Sequence, residues 1–453
     1  LPPPEEKKAG VWGAARPGAR GEGGGAGNIT RPRRDRRYLA FYNGEQWDRP
    51  RRAGETRLTV NYARALVRKA ASYVFPEPVT FSVPPGNGVD EAAAERAEAT
   101  LNGLNADLDL HSLDFQTVID ASVLGDGCFK VTWDTARGLP LVTSVDPSGL
   151  WAWSRPDNVR EPCRVAQRYR MEAGDARDLF GAAVTGNGPV WVVEDWTSER
   201  YRVEVAGALI WDGANPYGWI PYVLFPNVAQ PHSLWGESDL VDLLDVCAEL
   251  NQRMTVISRI LQVSGNPIVV LENVAGADGI RADAGAVWEL PEASRAYLLD
   301  MLQGGGVRLH LEYVDLLYRA LHDLAETPRT AFGDSGRALS GTALEVEVQP
   351  LVQKVQRKRR VWDRVYRQRN ARLLDLLERF GGLDAGGARR SAAVWSAILP
   401  SDREAMVRAE ATLVGAGIHS RRTAMATLGA VDTEREWARV LEEGEGLGDA
   451  DAR

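Results

Sequence analysis

"SLWGESDLVDLLDVCAELNQRMTVISRILQVS", residues 233–264, has the most persistent helical pattern in the chain. Its apolar residues return at helical spacing on one face: Leu240, Leu243, Leu244, Cys247, Leu250, Met254, Ile257 and Leu261. Gly265, Asn266 and Pro267 predict where this helix ends. A helix over the whole stretch is about 45 Å long, and its single apolar stripe must lie against other helices.

Two further stretches carry the same pattern. "VRLHLEYVDLLYRALHDLAE", residues 307–326, predicts a second helix, and residues 340–380 predict a third long helix. The first two helices enclose a mixed segment in which "PIVVLENV" and "GAVWEL" predict short strands and "SRAYLLDML" predicts a helical piece. A small β-containing module is therefore inserted between two long helices.

The chain before residue 233 alternates between helices and strands. Helices are predicted over 58–75, 90–104 and 110–127, and strands over 79–83, 128–133, 140–145 and most of 151–232. Residues 1–36 are rich in Gly and Pro, which predicts an arm that becomes ordered only against another surface, such as a neighbouring subunit. After a glycine-rich linker at 381–390 the chain ends in a small helical module. The predicted fold class is α+β, mostly helical.

The composition argues against several classes of protein. A net charge of −8 is unlike the basic excess of a protein that grips DNA by its phosphates. No apolar run reaches the ~18 residues of a membrane span, and no signal-peptide pattern is present. Cys128, Cys163 and Cys247 lie far apart, which predicts ordinary buried thiols rather than a zinc or redox site. Since the common nucleotide-binding loops are also absent, no cofactor is expected.

The string "GDSG" at 333–336 allows two interpretations. It is similar to the nucleophile loop of trypsin-like serine proteases, in which Ser335 would attack the substrate. However, Arg337 replaces the second glycine of that motif, and the nearest histidines, His310 and His322, lie within a predicted helix. The alternative is a loop between helices, with Ser340 as the N-cap of the next helix. The sequence favours the loop, and no catalytic residue is expected.

Two charged features also have alternative interpretations. The basic run at 354–372 could follow a nucleic-acid backbone, or it could be a solvated helix face that pairs with acidic neighbours. The second is favoured because Arg outnumbers Lys throughout the chain. The carboxylate pairs Glu345/Glu347 and Asp239/Asp242 lack the spacing of a known metal motif. They are expected at the surface, and no metal is expected.

The order of these parts resembles the portal proteins (head–tail connectors) of tailed bacteriophages, of the siphophage type. The matching strings are "FYNGEQW" at 41–47, "LTVNYARALVRKAASYVFPEPVTF" at 58–81, "NPYGWIPYVLFPN" at 215–227, "GESDLVDLLDVCAELNQ" at 236–252 and "SGTALEVEVQPLVQKVQRKR" at 340–359. Each string is moderately specific, and their order along 37–380 is more specific than any one of them.

The resemblance implies a division of the chain into named parts. These are an N-terminal arm at 1–36, a wing at 37–232 with 342–382, a first stem helix at 233–264, a clip at 265–306, a second stem helix at 307–326, a tunnel loop at 327–341 and a helical crown at 383–453. The opening of the third helix would then follow the narrowest part of a channel, and "GDSG" would belong to that constriction.

The resemblance also implies a function. Portals form rings, typically of twelve subunits, at one capsid vertex, and double-stranded DNA passes through the central channel without sequence preference. The implied partners are the terminase packaging motor, a head–tail adaptor, and the major capsid and scaffolding proteins. The protein would be made in the host cytoplasm and reside in the virion, with no membrane contact.

The tunnel loop is the site expected to touch DNA. Arg329 and Arg337 are the expected contacts, while Asp334, Ser335 and Ser340 keep the loop polar. Two other functions stay open: a nucleic-acid-processing enzyme that uses Ser335 or the carboxylates, and an adaptor or scaffold protein that never encircles DNA.

Overall fold

The computed structural model describes residues 27–86, 88–155, 157–181, 187–264, 268–273, 292–299, 306–334, 341–399, 403–429, 433 and 436–441. Helices account for 48% and strands for 21% of the structure, a mixed content that is compatible with the predicted α+β class.

The helices and strands follow the sequence pattern closely in the first half of the chain. The helices are α1 Gly27–Tyr42, α2 Tyr62–Val74, α3 Glu91–Asp107, α4 Leu110–Leu124, α5 Ala173–Phe180, α6 Leu244–Ser264, α7 Gly306–Leu324, α8 Gly341–Glu347, α9 Gln349–Phe380, α10 Arg403–Gly415 and α11 Arg421–Thr427. The strands are β1 Thr80–Ser82, β2 Asp126–Asp134, β3 Leu139–Ser144, β4 Leu150–Ser154, β5 Pro162–Met171, β6 Val190–Thr197, β7 Arg200–Val205, β8 Ala208–Ala214, β9 Tyr222–Pro226, β10 Val228–Ala229, β11 Gly236–Glu237, β12 Ile268–Glu272, β13 Arg295–Leu299 and β14 Ala392–Val394.

Two antiparallel sheets and the long helix α9 form the main core. One sheet has the order β3-β2-β9, and the other is a five-stranded meander from β4 to β8. Trp362 of α9 lies at the centre, with its ring 4.8 Å from Phe75, 5.1 Å from Phe225 and 5.8 Å from Phe129. Since all four side chains are nearly inaccessible to solvent, α9 is a core helix rather than a surface one.

A second apolar cluster joins α1, α2 and α4 to the start of α6 and the end of α7. It includes Tyr38, Phe41 and Tyr42 of α1, together with Cys247 and Leu321. The predicted N-terminal arm is therefore too long by its last ten residues. Residues 27–36 belong to a helix whose later turns pack on the same chain, because Tyr38, Phe41 and Tyr42 supply the apolar face that the Gly-rich residues lack.

The predicted helix at 233–264 is wrong in its first third. Residues 236–237 form strand β11, which pairs with β10, and α6 begins only at Leu244. Ser238 Oγ donates to the carbonyl of Val123 at 2.6 Å, and Asp126 accepts from the Gly236 amide at 2.6 Å. A Cβ on Gly236 would stand 2.4 Å from the Gly125 carbonyl oxygen. These contacts with the end of α4 outweigh the helical periodicity.

The predicted third helix at 340–380 is divided in two. Val348 separates α8 from α9, and Pro350 occupies the first turn of α9. A proline lacks the amide needed to continue the hydrogen bonds of the preceding helix but is well tolerated at a helix start, so the break falls where its ring requires it. Ser340, the predicted N-cap, lies outside the described residues.

The segment between α6 and α7 contains a two-stranded antiparallel sheet of β12 and β13. Strand β12 confirms the prediction from "PIVVLENV", whereas "GAVWEL" lies outside the described residues. The helical prediction for "SRAYLLDML" is wrong, since Arg295–Leu299 pairs in register with Ile268–Glu272. The misprediction follows from Leu and Ala, which favour helices when no strand is available to pair with them.

The predicted crown at 383–453 starts too early. Ala385 and Ala388 are buried in the main core, and β14 pairs with β1, so residues 383–399 pack with the sheets. Beyond them, α10 and α11 are helical as predicted. The three cysteines are free thiols; Cys128 and Cys247 are buried as expected, but Cys163 is exposed on β5.

Candidate functional site

The segment after α7 folds into a tight turn that positions Arg329. Helix α7 ends at Leu324, Glu326 has a positive φ of 49°, and residues 329–332 form a short 3-10 helix. Gly333 then takes a φ of 85°, a conformation that suits glycine. Of the predicted loop residues, Arg329 and Asp334 are described, whereas Ser335, Arg337 and Ser340 lie outside the described residues.

Arg329 is held by its own segment. Its Nη2 atom lies 2.5 Å from the Asp334 carboxylate, and its guanidinium lies 4.8 Å from the centre of the Tyr318 ring. A second carboxylate, Asp315 of α7, is 3.9 Å away. The side chain remains 41% exposed. The hydrogen bond from Arg329 to Asp334 raises the pKa of Arg329 and leaves its charge partly neutralised by two acids.

An aromatic cluster fixes this turn to α2 and α7. The buried His322 ring lies edge-on to Tyr318 at 4.6 Å and to Phe332 at 5.7 Å. Its Nδ1 atom donates to the carbonyl of Thr327, at 2.6 Å. The ammonium group of Lys69 from α2 lies 5.1 Å from the centre of the Phe332 ring. His322 is therefore enclosed in a structural role, which removes the nearest candidate base for a Ser335 nucleophile.

A second set of charges, here called the root clamp, joins α9 to both helices of the α6–α7 pair. It comprises Asp239, Glu326, Lys354, Arg357 and Lys358. Lys358 Nζ lies 2.8 Å from Asp239 just before α6, and Lys354 Nζ donates to the Ala325 carbonyl at 3.0 Å just after α7. Arg357 pairs with Glu326. One turn of α9 therefore holds the start of α6 and the end of α7 together.

Burial and pairing compete in the root clamp. Burial alone would raise the pKa of Asp239, but Lys354, Lys358 and a hydrogen bond from Asn227 outweigh it and hold this pKa below its ordinary value. Burial lowers the pKa of Lys358, and Asp239 opposes that shift. Lys358 also donates to Asn227 and to Ser122 of α4. A buried ion pair with all these partners keeps a unique geometry, because any displaced arrangement leaves an unpaired charge.

The basic run at 354–372 is divided between the surface and the interior. Arg357, Arg360 and Arg367 are exposed, and Arg357 pairs with Glu326, as the favoured prediction of a solvated face expects. Arg369 is fully buried and pairs with Asp114 at 2.5 Å. Arg359 donates to the carbonyls of Val74 and Ser396. Burial lowers the pKa of Arg372 to about 10, and its guanidinium lies over Trp219. Several of these cations are therefore interior structural groups, and the favoured prediction of a solvated face is wrong for them.

The carboxylate pairs considered as metal ligands are separated by their surroundings. Glu345 and Glu347 are exposed on α8, and Asp242 is exposed while Asp239 is held by lysines. Within the ranges that the structure describes, no group of three His, Cys, Asp or Glu side chains could hold a metal ion. In the same ranges no helix has the length and apolar content to cross a bilayer.

The sequence contained one signal for the root clamp that its interpretation missed. Only six of the 54 basic residues are lysines, and two of these are Lys354 and Lys358, one helical turn apart. Lys69 and Lys130 are also engaged, with Phe332 and Glu194. All four lysines in the described residues therefore have a specific partner, in keeping with the compact ammonium group that distinguishes Lys from Arg.

Comparison with known families agrees with the architecture. The family model for the phage portal protein, SPP1 Gp6-like, matches residues 28–448. No curated protein matches the chain. The match includes both sheets, the α6–α7 pair, the turn at Arg329 and α9. The chain belongs to the phage portal protein family, SPP1 Gp6-like, a family of structural virion capsid components rather than enzymes.

Proposed function

We propose that the chain is the subunit of a portal ring, typically of twelve copies, at one vertex of a phage capsid. In this proposal the two sheets and α9 are the wing, α6 and α7 are the stem, the β12–β13 segment is the clip, and α10 and α11 belong to the crown. Double-stranded DNA passes through the channel during packaging and ejection.

The observation that carries the ring is the exposed apolar face of α7. Leu309 and Leu316, two turns apart on one face, are 69% and 61% exposed in the isolated chain. Leu311, on the other side of the helix, is 53% exposed. On α6, Leu261 is 56% exposed. Burial of each such side chain contributes about 1.5–3 kcal/mol. Large exposed apolar surfaces mark an interface, and a closed ring supplies the same neighbour to every subunit.

The charge distribution supports a channel through which DNA slides. Each phosphate contact with Lys or Arg strengthens binding and makes it salt-dependent. The chain has a net charge of −8, and Arg329 is already paired with Asp334. In the proposal Arg329 and Arg337 touch DNA, with Asp334, Ser335 and Ser340 beside them in the tunnel loop. Neutralisation of Arg329 by Asp334 keeps each contact weak enough to break.

The clip is proposed as the docking surface for other virion proteins. Strands β12 and β13 pair only with each other among the described residues, so each has an outer edge with unpaired backbone groups. A two-stranded sheet of this kind is marginally stable by itself. Neighbouring clips, the terminase motor and a head–tail adaptor are the proposed partners, while the wing would contact capsid and scaffolding proteins.

One experiment separates this proposal from an adaptor that never encircles DNA. Negative-stain images of the purified protein should show closed rings with a defined rotational symmetry and a central channel. Open or irregular oligomers would contradict it.

The loop and the clip need tests in assembled particles. Arg329→Ala with Arg337→Ala should alter DNA packaging or retention while ring formation stays normal; unchanged packaged length and release would reject the loop assignment. Deletion of 268–299 should abolish motor binding, and a deletion that leaves both assembly and motor binding intact would reject the clip assignment.

A further inference from the structure

The outer side of the five-stranded sheet is built almost entirely from charged and aromatic side chains. Alternate residues along each strand face inward, as Val165, Val192 and Val203 do in the core. The strand registers place the intervening residues on the opposite side: Trp151, Trp153, Arg164, Arg168, Arg170, Trp191, Val193, Asp195, Arg200, Arg202, Glu204, Leu209 and Asp212.

Most of the charge on one part of this surface is compensated by ion pairs. Arg164 pairs with Asp195 across β5 and β6 at 2.5 Å. Arg200 and Arg202 both pair with Asp212 of β8, at 2.5 and 3.2 Å. All three arginines therefore already have a carboxylate partner, although two of them share one.

The other part carries two cations without a carboxylate. Arg168 lies 3.9 Å and Arg170 lies 5.2 Å from the centre of the Trp191 ring. Among the described residues neither guanidinium forms a salt bridge, and both are exposed. Trp191 itself is 42% exposed. We call these three residues the arginine–tryptophan site.

The register of β5 and β6 places the two arginines of the site close together. Arg170 stands directly opposite Trp191, and Arg168 stands opposite Val193 one step along the same pair of strands. Two like charges on one indole repel each other, and a carboxylate between them would remove that repulsion. A planar guanidinium also accepts a carboxylate in a bidentate geometry.

We propose that the arginine–tryptophan site binds an acidic segment of a partner polypeptide. The carboxylates of that segment pair with Arg168 and Arg170, and an aliphatic side chain of the segment contacts Val193, which stands opposite Arg168 in the same cross-strand row. The site is distinct from the channel and from the α7 face, so the proposal stands whether or not the chain closes into a ring.

The surroundings favour a polypeptide over a nucleic acid. Single-stranded nucleic acids bind by stacking bases on exposed aromatic faces, but guanidinium groups already lie over the Trp191 ring. A duplex presents a continuous line of phosphates, but Arg164, Arg200 and Arg202 in the adjoining rows are already engaged with Asp195 and Asp212. A segment with separated carboxylates and aliphatic residues fits the mixture of charges.

The test uses the full chain and a fluorescent peptide of alternating Glu and Leu, with a Gln/Leu peptide of equal length as the reference. Anisotropy should show binding of the Glu/Leu peptide that weakens with added salt. Arg168→Gln with Arg170→Gln should weaken it about tenfold or more. The matched control is Arg360→Gln with Arg367→Gln, which removes the same charge from an exposed face of α9 and should change binding less than about twofold.

Charge reversal keeps the proposal falsifiable if the neutral variant is unstable. Arg168→Glu with Arg170→Glu should prefer a Lys/Leu peptide over the Glu/Leu peptide. The proposal would be overturned if the wild type and the site variant bound the Glu/Leu peptide equally well. The same conclusion would follow if the α9 control variant lost as much peptide affinity as the site variant. It would also be overturned if duplex DNA displaced the peptide from this site at lower concentration, or if the variant changed only self-association, since the occupant would then be DNA or a second copy.

Discussion

Helices α9 and α7 are both long and amphipathic, yet they differ in what covers them. The apolar face of α9 is enclosed by its own chain, with Leu351, Val355 and Leu373 almost completely buried. On α7, Leu321 is buried near the end of the helix, while Leu309 and Leu316 on a different face remain exposed. The two helices therefore differ in how much of their apolar surface the chain itself covers.

The charged residues of the two helices also differ in burial: several on α9 are interior, and the arginines of α7 are exposed. Arg369 and Lys358 of α9 are interior groups with specific partners. On α7, Arg308 and Arg319 form exposed pairs with acids one turn away, which contribute only a few tenths of a kcal/mol. The comparison teaches that α9 is covered by its own chain, whereas the described residues leave the leucines of α7 uncovered.

The largest expected effect tests the claim that α9 is complete. Arg369→Met leaves the Asp114 carboxylate buried without its cation, and we expect a loss of about 3–5 kcal/mol in the free energy of unfolding. Denaturant titration measures it. Asp114→Asn added to Arg369→Met should recover part of the loss, and Arg360→Met on the exposed face should cost less than about 0.5 kcal/mol. Equal losses at residues 369 and 360 would contradict the distinction.

A smaller effect is expected at the root clamp. Lys358→Met removes one of two lysines from Asp239, and Lys354 at 3.6 Å can replace it in part. We therefore expect a loss of about 2–3 kcal/mol at neutral pH. Because the pKa of Asp239 is depressed, its stabilising contribution is present above the carboxyl's ordinary pKa and is lost as the pH falls toward the folded value. If the destabilisation caused by Lys358→Met stayed the same in acid, this account would be contradicted.

Asp120 of α4 gives the opposite pH dependence, because among the described residues it is buried near another acid, Asp146, rather than beside a cation. Burial, and then Asp146, raise its pKa to about 6. The folded state therefore favours the protonated form, so this group destabilises the fold above pH 6 and ceases to do so as the pH falls. Asp120→Asn should stabilise the protein by about 1–2 kcal/mol at pH 8, with a gain that disappears near pH 4. A gain independent of pH would reject this explanation.

The smallest expected effect concerns α7 in the isolated subunit. Leu309→Gln with Leu316→Gln exchanges exposed apolar side chains for a residue of similar helix propensity. Under conditions that keep the protein monomeric, the free energy of unfolding should change by less than about 0.5 kcal/mol. A loss of several kcal/mol would mean that α7 is already packed within its own chain.

Local rules predicted much of the fold from the sequence. The helix predicted at 90–104 is α3, and Asp90 caps it with its carboxylate accepting from the Ala93 amide at 2.7 Å. The strands predicted at 128–133 and 140–145 are β2 and β3, which pair with each other. Each of these depends on residues within a few positions of one another, which is where sequence patterns are informative.

Most failures depended on contacts between distant residues, whereas the break between α8 and α9 follows from Pro350 itself. The start of α6 is decided by Ser122, Val123 and Asp126 more than a hundred positions earlier. The role of Lys358 depends on Asp239 in the same way. The sequence pattern predicted that Arg329 and Asp334 lie in a loop. It could not predict that their side chains pair with each other.

The most direct test of the central claim is the mass of the purified assembly, measured by mass photometry alongside electron micrographs. We predict closed rings for the wild type, and subunits that fold but do not close for Leu309→Gln with Leu316→Gln. Leu179→Gln, an equally exposed leucine on α5, should form rings like the wild type. Rings of unchanged mass and symmetry from the α7 double variant would contradict the claim that this face closes against a neighbouring subunit.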